Sequence, residues 1–257
     1  MRGLSATELL DVWAQGHAQP PPGRALLLLA AACPEFEPAA LARLTVGQRD
    51  GLLLALYEQT FGPRVTGVAV CPRCAAEVEL AFDAADIRVG GPPPEDGPPP
   101  TQTLIVEGYE IVFRAPDSND LLALAADEAA ARETLLARCL VSVAAVDPPN
   151  LAPEVELPGP APLSAGTQAA IAAAVDAALA EMDPQAEVEL NLACPACDQQ
   201  WQALFDIVAF FWDELTAWAH RMLRQVHVLA SAYGWREAEI LALPAWRRQY
   251  YLEMVGG

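Results

Sequence analysis

Four cysteines occur as two Cys-x-x-Cys pairs, and no other pattern in this sequence fits a chemical site as well. The pairs are Cys71 with Cys74 and Cys194 with Cys197, 123 residues apart (194 − 71). Each pair has proline after its first cysteine, and each is followed by Phe-Asp after seven intervening residues. One such pair would fit a redox dithiol or two core thiols, but two fit a four-thiolate tetrahedral site. We therefore predict a structural zinc ion bound by all four cysteines.

Short strands must position these cysteines. Apolar or alternating segments lead into the pairs at Val65–Val70 and Val188–Leu192, and further strands follow at Glu77–Leu80 and Gln200–Ala203. Each pair should therefore lie at the tip of a β-hairpin. The two hairpins would form a zinc ribbon that is split by a long insert, which costs little because loop-closure entropy grows only logarithmically with length.

The residue after the second cysteine of a zinc knuckle is usually glycine, because the backbone φ angle is positive there. In this sequence the position is occupied by Ala75 and Asp198. Aspartate tolerates the left-handed region better than alanine does. We therefore expect the first knuckle to be either strained or shaped differently.

Composition indicates a folded, mostly helical protein with a strongly acidic surface. Hydrophobic residues make up 53% of the 257 residues, and 34 acidic residues outnumber 15 basic ones, all arginine, giving a formal charge of −19. Residues 206–257 hold 6 acidic residues and 5 arginines, so residues 1–205 hold 28 (34 − 6) and 10 (15 − 5). Nucleic-acid binding is not expected, because phosphate binding needs clustered positive charge.

The sequence also predicts a soluble, cytoplasmic protein. Arg2, Glu8 and Asp11 interrupt the first 20 residues, and the apolar run Leu26–Ala32 is too short to span a membrane. The remaining cysteines, at positions 33 and 139, lie in apolar helical runs and should be buried, reduced thiols.

Capping residues and hydrophobic periodicity predict the other elements. Ser5 with Glu8, Thr45 with Gln48, and Asp206 are the predicted helix caps. A second hairpin should pair Thr103–Val106 with Tyr109–Phe113. The predicted helices are Ala6–Gln15, Arg24–Cys33, Thr45–Phe61, Asn119–Ala126, Glu128–Val143, Ala165–Met182, Asp206–Ala232, Arg236–Leu241 and Ala245–Met254.

These elements predict an α+β, mostly helical protein: a split zinc ribbon with a helical insert and an aromatic C-terminal helical tail. Its predicted regions are N-terminal helices (1–62), the first knuckle hairpin (63–90), a proline-rich linker (91–102), an insert with a β-hairpin and helices (103–183), the second knuckle hairpin (184–205) and C-terminal helices (206–257). A second proline-rich segment, 147–163, lies within the insert.

The C-terminal region has more aromatic side chains than a small helical hairpin needs for its own core. Both core packing and a partner-docking face fit this pattern. The candidate partner-binding residues are Phe210, Phe211, Trp212, Trp218, Trp235, Trp246, Tyr250 and Tyr251.

Residues for catalysis are not recognisable in the sequence. His17 lies in a loop, and His220 and His227 are two helical turns apart, too far for one metal ion. No nucleotide-binding loop, nucleophile elbow or metalloprotease motif occurs. We therefore predict that the protein is not an enzyme and has no catalytic residues. A thiol-disulfide oxidoreductase using one Cys-x-x-Cys pair remains the enzymatic alternative, although no thioredoxin-like βαβ pattern surrounds either pair.

Three segments carry a resemblance to a known family. The segments are Leu44–Asp50 through Gly62, Glu187–Cys197 with Phe205-Asp206 and Phe210–Trp212, and Val226–Trp235 with Glu239–Pro244, Arg247-Arg248 and Tyr251-Leu252. In these segments the chain resembles the zinc-ribbon-containing T4-type baseplate and hub-assembly proteins of phage-tail-like contractile injection systems.

This resemblance implies a structural or chaperone-like assembly role in a bacterial contractile particle. The implied partners are baseplate, hub, tube or tape-measure proteins, and neither nucleic acid nor membrane. A zinc-ribbon interaction module of another complex is the remaining alternative.

Overall fold

A computed structural model describes residues 1–89, 100–124, 127–146 and 164–256 of the protein. In these ranges it combines helices with small antiparallel sheets, an α+β composition as predicted. The helices are α1 (Ala6–Gly16), α2 (Pro21–Ala32), α3 (Pro38–Ala42), α4 (Val46–Phe61), α5 (Ser118–Leu122), α6 (Glu128–Cys139), α7 (Ala165–Met182), α8 (Ile207–Tyr233), α9 (Glu237–Leu241) and α10 (Ala245–Gly256). The strands are β1 (Arg64–Val70), β2 (Glu77–Asp83), β3 (Thr101–Val106), β4 (Tyr109–Arg114), β5 (Leu140–Ala145), β6 (Val188–Ala193) and β7 (Gln200–Phe205).

The chain divides into two compact units. The first contains Met1–Leu41, Asp50–Arg88 and Val188–Gly257, and therefore includes both cysteine hairpins and the C-terminal helices. The second contains Ala42–Arg49 and Val89–Glu187. Each unit has an apolar core of its own.

The first unit is built around α8, the longest helix described. Asp206 caps it by accepting hydrogen bonds from the backbone N–H groups of Val208 and Ala209, at 2.8 and 3.1 Å. Gly234 ends it in the left-handed conformation, with φ at 70°. The sequence predicted the Asp206 cap and a helix over Asp206–Ala232. The buried residues of α8 pack against α1 and α9, in a cluster of Leu10, Ala219, Met222, Val226, Leu229, Ile240 and Leu241.

The second unit packs α7 on a three-stranded antiparallel sheet with the order β3-β4-β5. Ile111 and Phe113 on β4 are fully buried against Ile171 and Val175 on α7. Because side chains of a strand alternate between its faces, the other face of this sheet has no such cover from α7.

Residues 140–143 are a strand, so the prediction that a single helix runs from Glu128 to Val143 is wrong at its C-terminal end. Helix α6 ends at Cys139, and β5 begins at the next residue and pairs with β4. The two valines within 140–143 suit an extended conformation. Pairing with β4, which is distant in sequence, makes these residues a strand rather than the end of a helix.

A buried carboxylate anchors the start of β5. Asp120 accepts hydrogen bonds from Nη1 and Nη2 of Arg114 at 2.6 and 3.0 Å, and from Nε of Arg138 at 2.9 Å. The backbone N–H of Asp117 also donates to it, at 3.0 Å. Sequence analysis missed this cluster, because its members lie 6 and 18 residues from Asp120 and no local motif joins them.

Two proline-rich segments were predicted, at 91–102 and 147–163; residues 91–99 of the first and all of the second lie outside the described residues. The first ends earlier than predicted, because Thr101 and Gln102 already pair with β4. Among the helices described, none combines the length and the apolar character needed to span a bilayer.

Candidate metal centre

The two cysteine knuckles have the same backbone geometry. β1 pairs with β2, and β6 with β7, in two antiparallel hairpins. In the first knuckle the backbone N–H of Ala75 donates to the carbonyl oxygen of Cys71 at 2.9 Å, and in the second Asp198 donates to Cys194 at 2.9 Å. In both, the N–H of the first cysteine donates to the carbonyl oxygen five residues later, at 2.9 and 2.8 Å.

The residue after the second cysteine has a positive φ in both knuckles. The angle is 57° at Ala75 and 56° at Asp198. An alanine in the left-handed region costs about 1–2 kcal/mol, because its Cβ crowds the carbonyl oxygen. Of the two outcomes that the sequence left open for the first knuckle, strain is therefore the one observed.

The four cysteine sulfurs meet in one cluster. All four Sγ atoms lie within 4.8 Å of one another. The distance between hairpins is 3.7 Å from Cys71 Sγ to Cys197 Sγ and 3.6 Å from Cys74 Sγ to Cys194 Sγ. Sulfurs bound about 2.3 Å from one zinc ion would lie about 3.8 Å apart at the corners of a tetrahedron. Residues 123 positions apart (194 − 71) thus form a group that could hold a metal ion.

Apolar side chains cover one side of the cluster. The first cysteine of each pair, Cys71 or Cys194, is only 1% exposed. Cys74 is exposed and Cys197 is half-buried. Val78, Ala76, Leu80 and Trp201 pack around the buried sulfurs. Such a hydrophobic shell limits solvent access to a bound metal ion.

The thiols cannot all ionise together without a cation. Burial opposes ionisation of Cys71, but the backbone N–H groups of Cys74 and Arg73 outweigh it and lower the Cys71 pKa to about 6. The N–H of Gln199 favours ionisation of Cys197, yet burial and the neighbouring sulfurs raise the Cys197 pKa to about 12. Like charges at this spacing repel, and a bound divalent cation would remove that repulsion. The donor set therefore fits a cation that prefers thiolates.

The other two cysteines are buried, as the sequence predicted. Burial raises the pKa of the Cys33 thiol, and it raises the pKa of the Cys139 thiol to about 11. Buried thiols with raised pKa values carry little thiolate at neutral pH and are therefore poor nucleophiles.

Aromatic rings connect the knuckle hairpins to the helices of the same unit. The rings of Phe82 and Phe205, the phenylalanines of the two Phe-Asp repeats, have centroids 5.5 Å apart. Phe205 lies 5.5 Å from Phe210 at the start of α8, and Phe210 lies 5.5 Å from Tyr57 of α4. The repeated Phe-Asp sequence therefore supplies packing between hairpins and, at Asp206, the cap of α8.

The candidate partner-binding residues divide by exposure. Phe211 and Trp212 are core residues, because Phe211 packs on Tyr57 and Phe61 and Trp212 packs on Gly16. The half-buried members are Phe210, Trp218, Trp235 and Tyr251.

Two candidates lie on the surface. Trp246 is 71% exposed and Tyr250 is 65% exposed, four residues apart on one face of α10. Met254, another four residues along α10, is exposed as well. These three side chains form an apolar surface stripe.

Fold and site together define a helical and β-hairpin protein with a four-cysteine centre and no recognised catalytic motif. The family model described as T4 bacteriophage base plate protein matches residues 23–212, which is 190 residues (212 − 23 + 1) of the 257. The chain belongs to this family of baseplate proteins, as the resemblance implied. The family points to a structural, non-enzymatic role. No curated protein and no solved structure matches the chain.

Proposed function

We propose that the protein is a non-enzymatic structural or assembly component of the baseplate of a contractile, phage-tail-like injection system. In this role a zinc ion bound by Cys71, Cys74, Cys194 and Cys197 stabilises it. Membership of the baseplate family supports the system. The main observation in support of a metal-stabilised structure is that four sulfurs from two hairpins distant in sequence lie together.

The zinc ion would join parts of the chain that have little stability separately. A two-stranded hairpin is at best marginally stable in water, and each knuckle lies on one. The ring contacts of Phe82, Phe205 and Phe210 extend from the hairpins to α8. Metal binding would therefore stabilise the helices as well as the ribbon.

Metal analysis of the purified protein and two variants tests this proposal. We expect one zinc ion per chain in the unmodified protein and none in Cys194→Ser. Asp198→Asn is the matched control, because asparagine tolerates the left-handed conformation that position 198 requires. Asp198→Asn should retain the ion. Another metal, or zinc retained by Cys194→Ser, would contradict the proposed site.

We also propose that the aromatic surface of α10 docks a baseplate, hub, tube or tape-measure protein in the bacterial cytoplasm. Trp246 and Tyr250 are its anchors because exposed aromatic side chains are common binding hot spots. The test is co-purification with each of these proteins expressed in turn. Trp246→Ala with Tyr250→Ala should abolish capture. Phe36→Ala, which changes an exposed aromatic side chain elsewhere in the same unit, should not.

One observation favours the alternative of thiol-disulfide exchange. The Cys71 pKa of about 6 gives the thiolate that such chemistry needs, although a metal ligand needs it too. Thiol titration separates these functions. A zinc protein should show reactive thiols at the four positions only after chelation, whereas an oxidoreductase should show them before chelation and should reduce a model disulfide.

A further inference from the structure

Strand β5 leaves one side of the second unit's sheet open. It is an edge strand, with β4 on one side and no described strand on the other. Every residue from Val141 to Val146 is exposed, and Val141 is 56% exposed. An edge strand presents a row of backbone N–H and C=O groups that can pair with another extended chain.

Beyond Val141, the described part of this edge lacks the features that usually prevent such pairing. Proteins protect edge strands with charged side chains, proline or a bulge. From Leu140 to Val146 the sequence is Leu-Val-Ser-Val-Ala-Ala-Val, without charge or proline. The register with β4 leaves Val141 as an extra, unpaired residue, so β5 has a bulge at its first end, whereas Ser142–Ala145 pair regularly with β4. In contrast, β2 carries Glu77 and Glu79 on exposed positions.

The charge around this edge indicates what would pair with it. Among its described residues the second unit, Ala42–Arg49 with Val89–Glu187, contains 11 acidic residues and 5 arginines, a net charge of −6 (5 − 11). Glu110, exposed on β4, pairs directly with Ala144 of β5. Arg114 and Arg138, at the other end of the strand, are both bound by Asp120. The field at the edge therefore favours a basic partner and opposes a second copy of this acidic chain.

We propose that β5 is a docking site for an extended segment of another protein, which adds as a fourth strand to β3-β4-β5. The segment has valine, isoleucine, leucine or alanine at the positions that face Val141 and Val143, and lysine or arginine at its ends. Main-chain hydrogen bonds supply the affinity, and the small apolar side chains of β5 select a partner strand without charge at its centre. This site is separate from the metal centre and from the surface of α10.

The pairing of β3 and β5 with β4 provides a matched pair of substitutions for the test. Ile105 on β3 and Ala144 on β5 both lie opposite Glu110 on β4, at the two edges of one sheet. Both are exposed, Ile105 by 71%. Ala144→Lys and Ile105→Lys therefore add the same charge beside the same carboxylate. Only Ala144→Lys alters the proposed docking edge.

The probe is a synthetic ten-residue peptide of alternating valine and threonine with lysine at both ends. Glutamate-ended and proline-interrupted versions serve as comparison peptides. Amide hydrogen exchange of the full-length protein should show protection of residues 140–146 by the lysine-ended peptide, and not of β3. Binding should weaken at least ten-fold in Ala144→Lys, and stay within two-fold of the unmodified protein in Ile105→Lys. The two comparison peptides should bind at least ten-fold more weakly than the lysine-ended peptide.

Three results would overturn the proposal. They are equal protection of β3 and β5, no protection at millimolar peptide, and a dimer in solution that Ala144→Lys converts to monomer. The last would identify a second copy as the occupant. Peptide binding requires neither zinc nor a baseplate protein, so its failure would leave the proposed function untouched.

Discussion

Loss of the metal centre should remove a large part of the protein's stability. The test uses Cys194→Ser. This variant and the unmodified protein are compared with and without a strong chelator. Cys194 is almost fully buried between the two hairpins, with its sulfur 3.6 Å from that of Cys74. Serine at this position supplies a hydroxyl in place of a thiolate, which zinc binds far better.

The size of the effect follows from the loop that the metal closes. Cys74 and Cys194 are 120 residues apart (194 − 74), so the ion acts as a cross-link across most of the insert. The chain-entropy treatment of a cross-link over such a loop gives about 5 kcal/mol. Folded domains have total stabilities of about 5–15 kcal/mol, so this is a substantial fraction. For a chain of this size it corresponds to a fall of roughly 10–20 °C in Tm.

Scanning calorimetry with and without chelator measures this change. Chelation should lower the Tm of the unmodified protein by that amount, and should leave the Tm of Cys194→Ser unchanged because that variant has no ion to lose. The reasoning is refuted if the chelator strips zinc from the unmodified protein and the Tm stays within about 2 °C, which is below the effect of 1 kcal/mol. The hairpins would then be stable without the cross-link.

Three further predictions concern stability, each measured by chemical denaturation. Asp120→Ala should lower the free energy of unfolding by about 3–5 kcal/mol, because it leaves two arginines without their buried carboxylate. Although burial opposes ionisation of Asp120, the hydrogen bonds from the arginines keep its pKa below the ordinary value. The stability that Asp120 contributes is therefore present above about pH 4 and lost as pH falls further, and the variant should lack this acid-dependent loss. Gly16→Ala should destabilise the protein by about 1–3 kcal/mol, because the added Cβ would overlap the Trp212 ring. Gly67→Ala is the control: no atom lies near its added Cβ, so its stability should stay within about 1 kcal/mol of the unmodified protein. Equal effects of the two substitutions would argue against the packing of Trp212 on Gly16. Ala75→Gly should leave stability unchanged or raise it by up to about 1 kcal/mol, because glycine keeps the positive φ without a Cβ that crowds the carbonyl oxygen, while it costs more conformational entropy on folding. A clear loss of stability would show that Ala75 is not strained at this φ.

Local signals in the sequence predicted several helix caps and the three hairpins, but not the C-terminal end of α6 or the start of α2, which begins at Pro21 rather than Arg24. Ser5 and Glu8 form the expected capping box, and Thr45 and Gln48 exchange the expected reciprocal hydrogen bonds at 3.1 and 3.2 Å. These features depend on residues three positions apart, so a short window of sequence contains the whole interaction. The Cys-x-x-Cys spacing identified the four cysteines in the same way, and zinc at their centre stays a prediction.

Tertiary contacts decided what local windows could not. Residues 140–145 became a strand because β4 offers a pairing edge, and an apolar alternation of that length fits a strand or the end of a helix equally well. Phe211 belongs to the core because Tyr57 and Phe61 pack on it, a fact invisible in the composition of α8.

Sequence by itself determined much of the local geometry of this protein: which residues cap several of its helices, where the hairpins turn, and which thiols have the spacing of metal ligands. Only the folded chain decided which of these parts meet. The four sulfurs lie within 4.8 Å of one another, three groups converge on Asp120, and β5 lies at the edge of its sheet among the described strands. The physical reason is that capping and turn energies act over a few residues, whereas burial and strand pairing depend on neighbours brought together from anywhere in the chain.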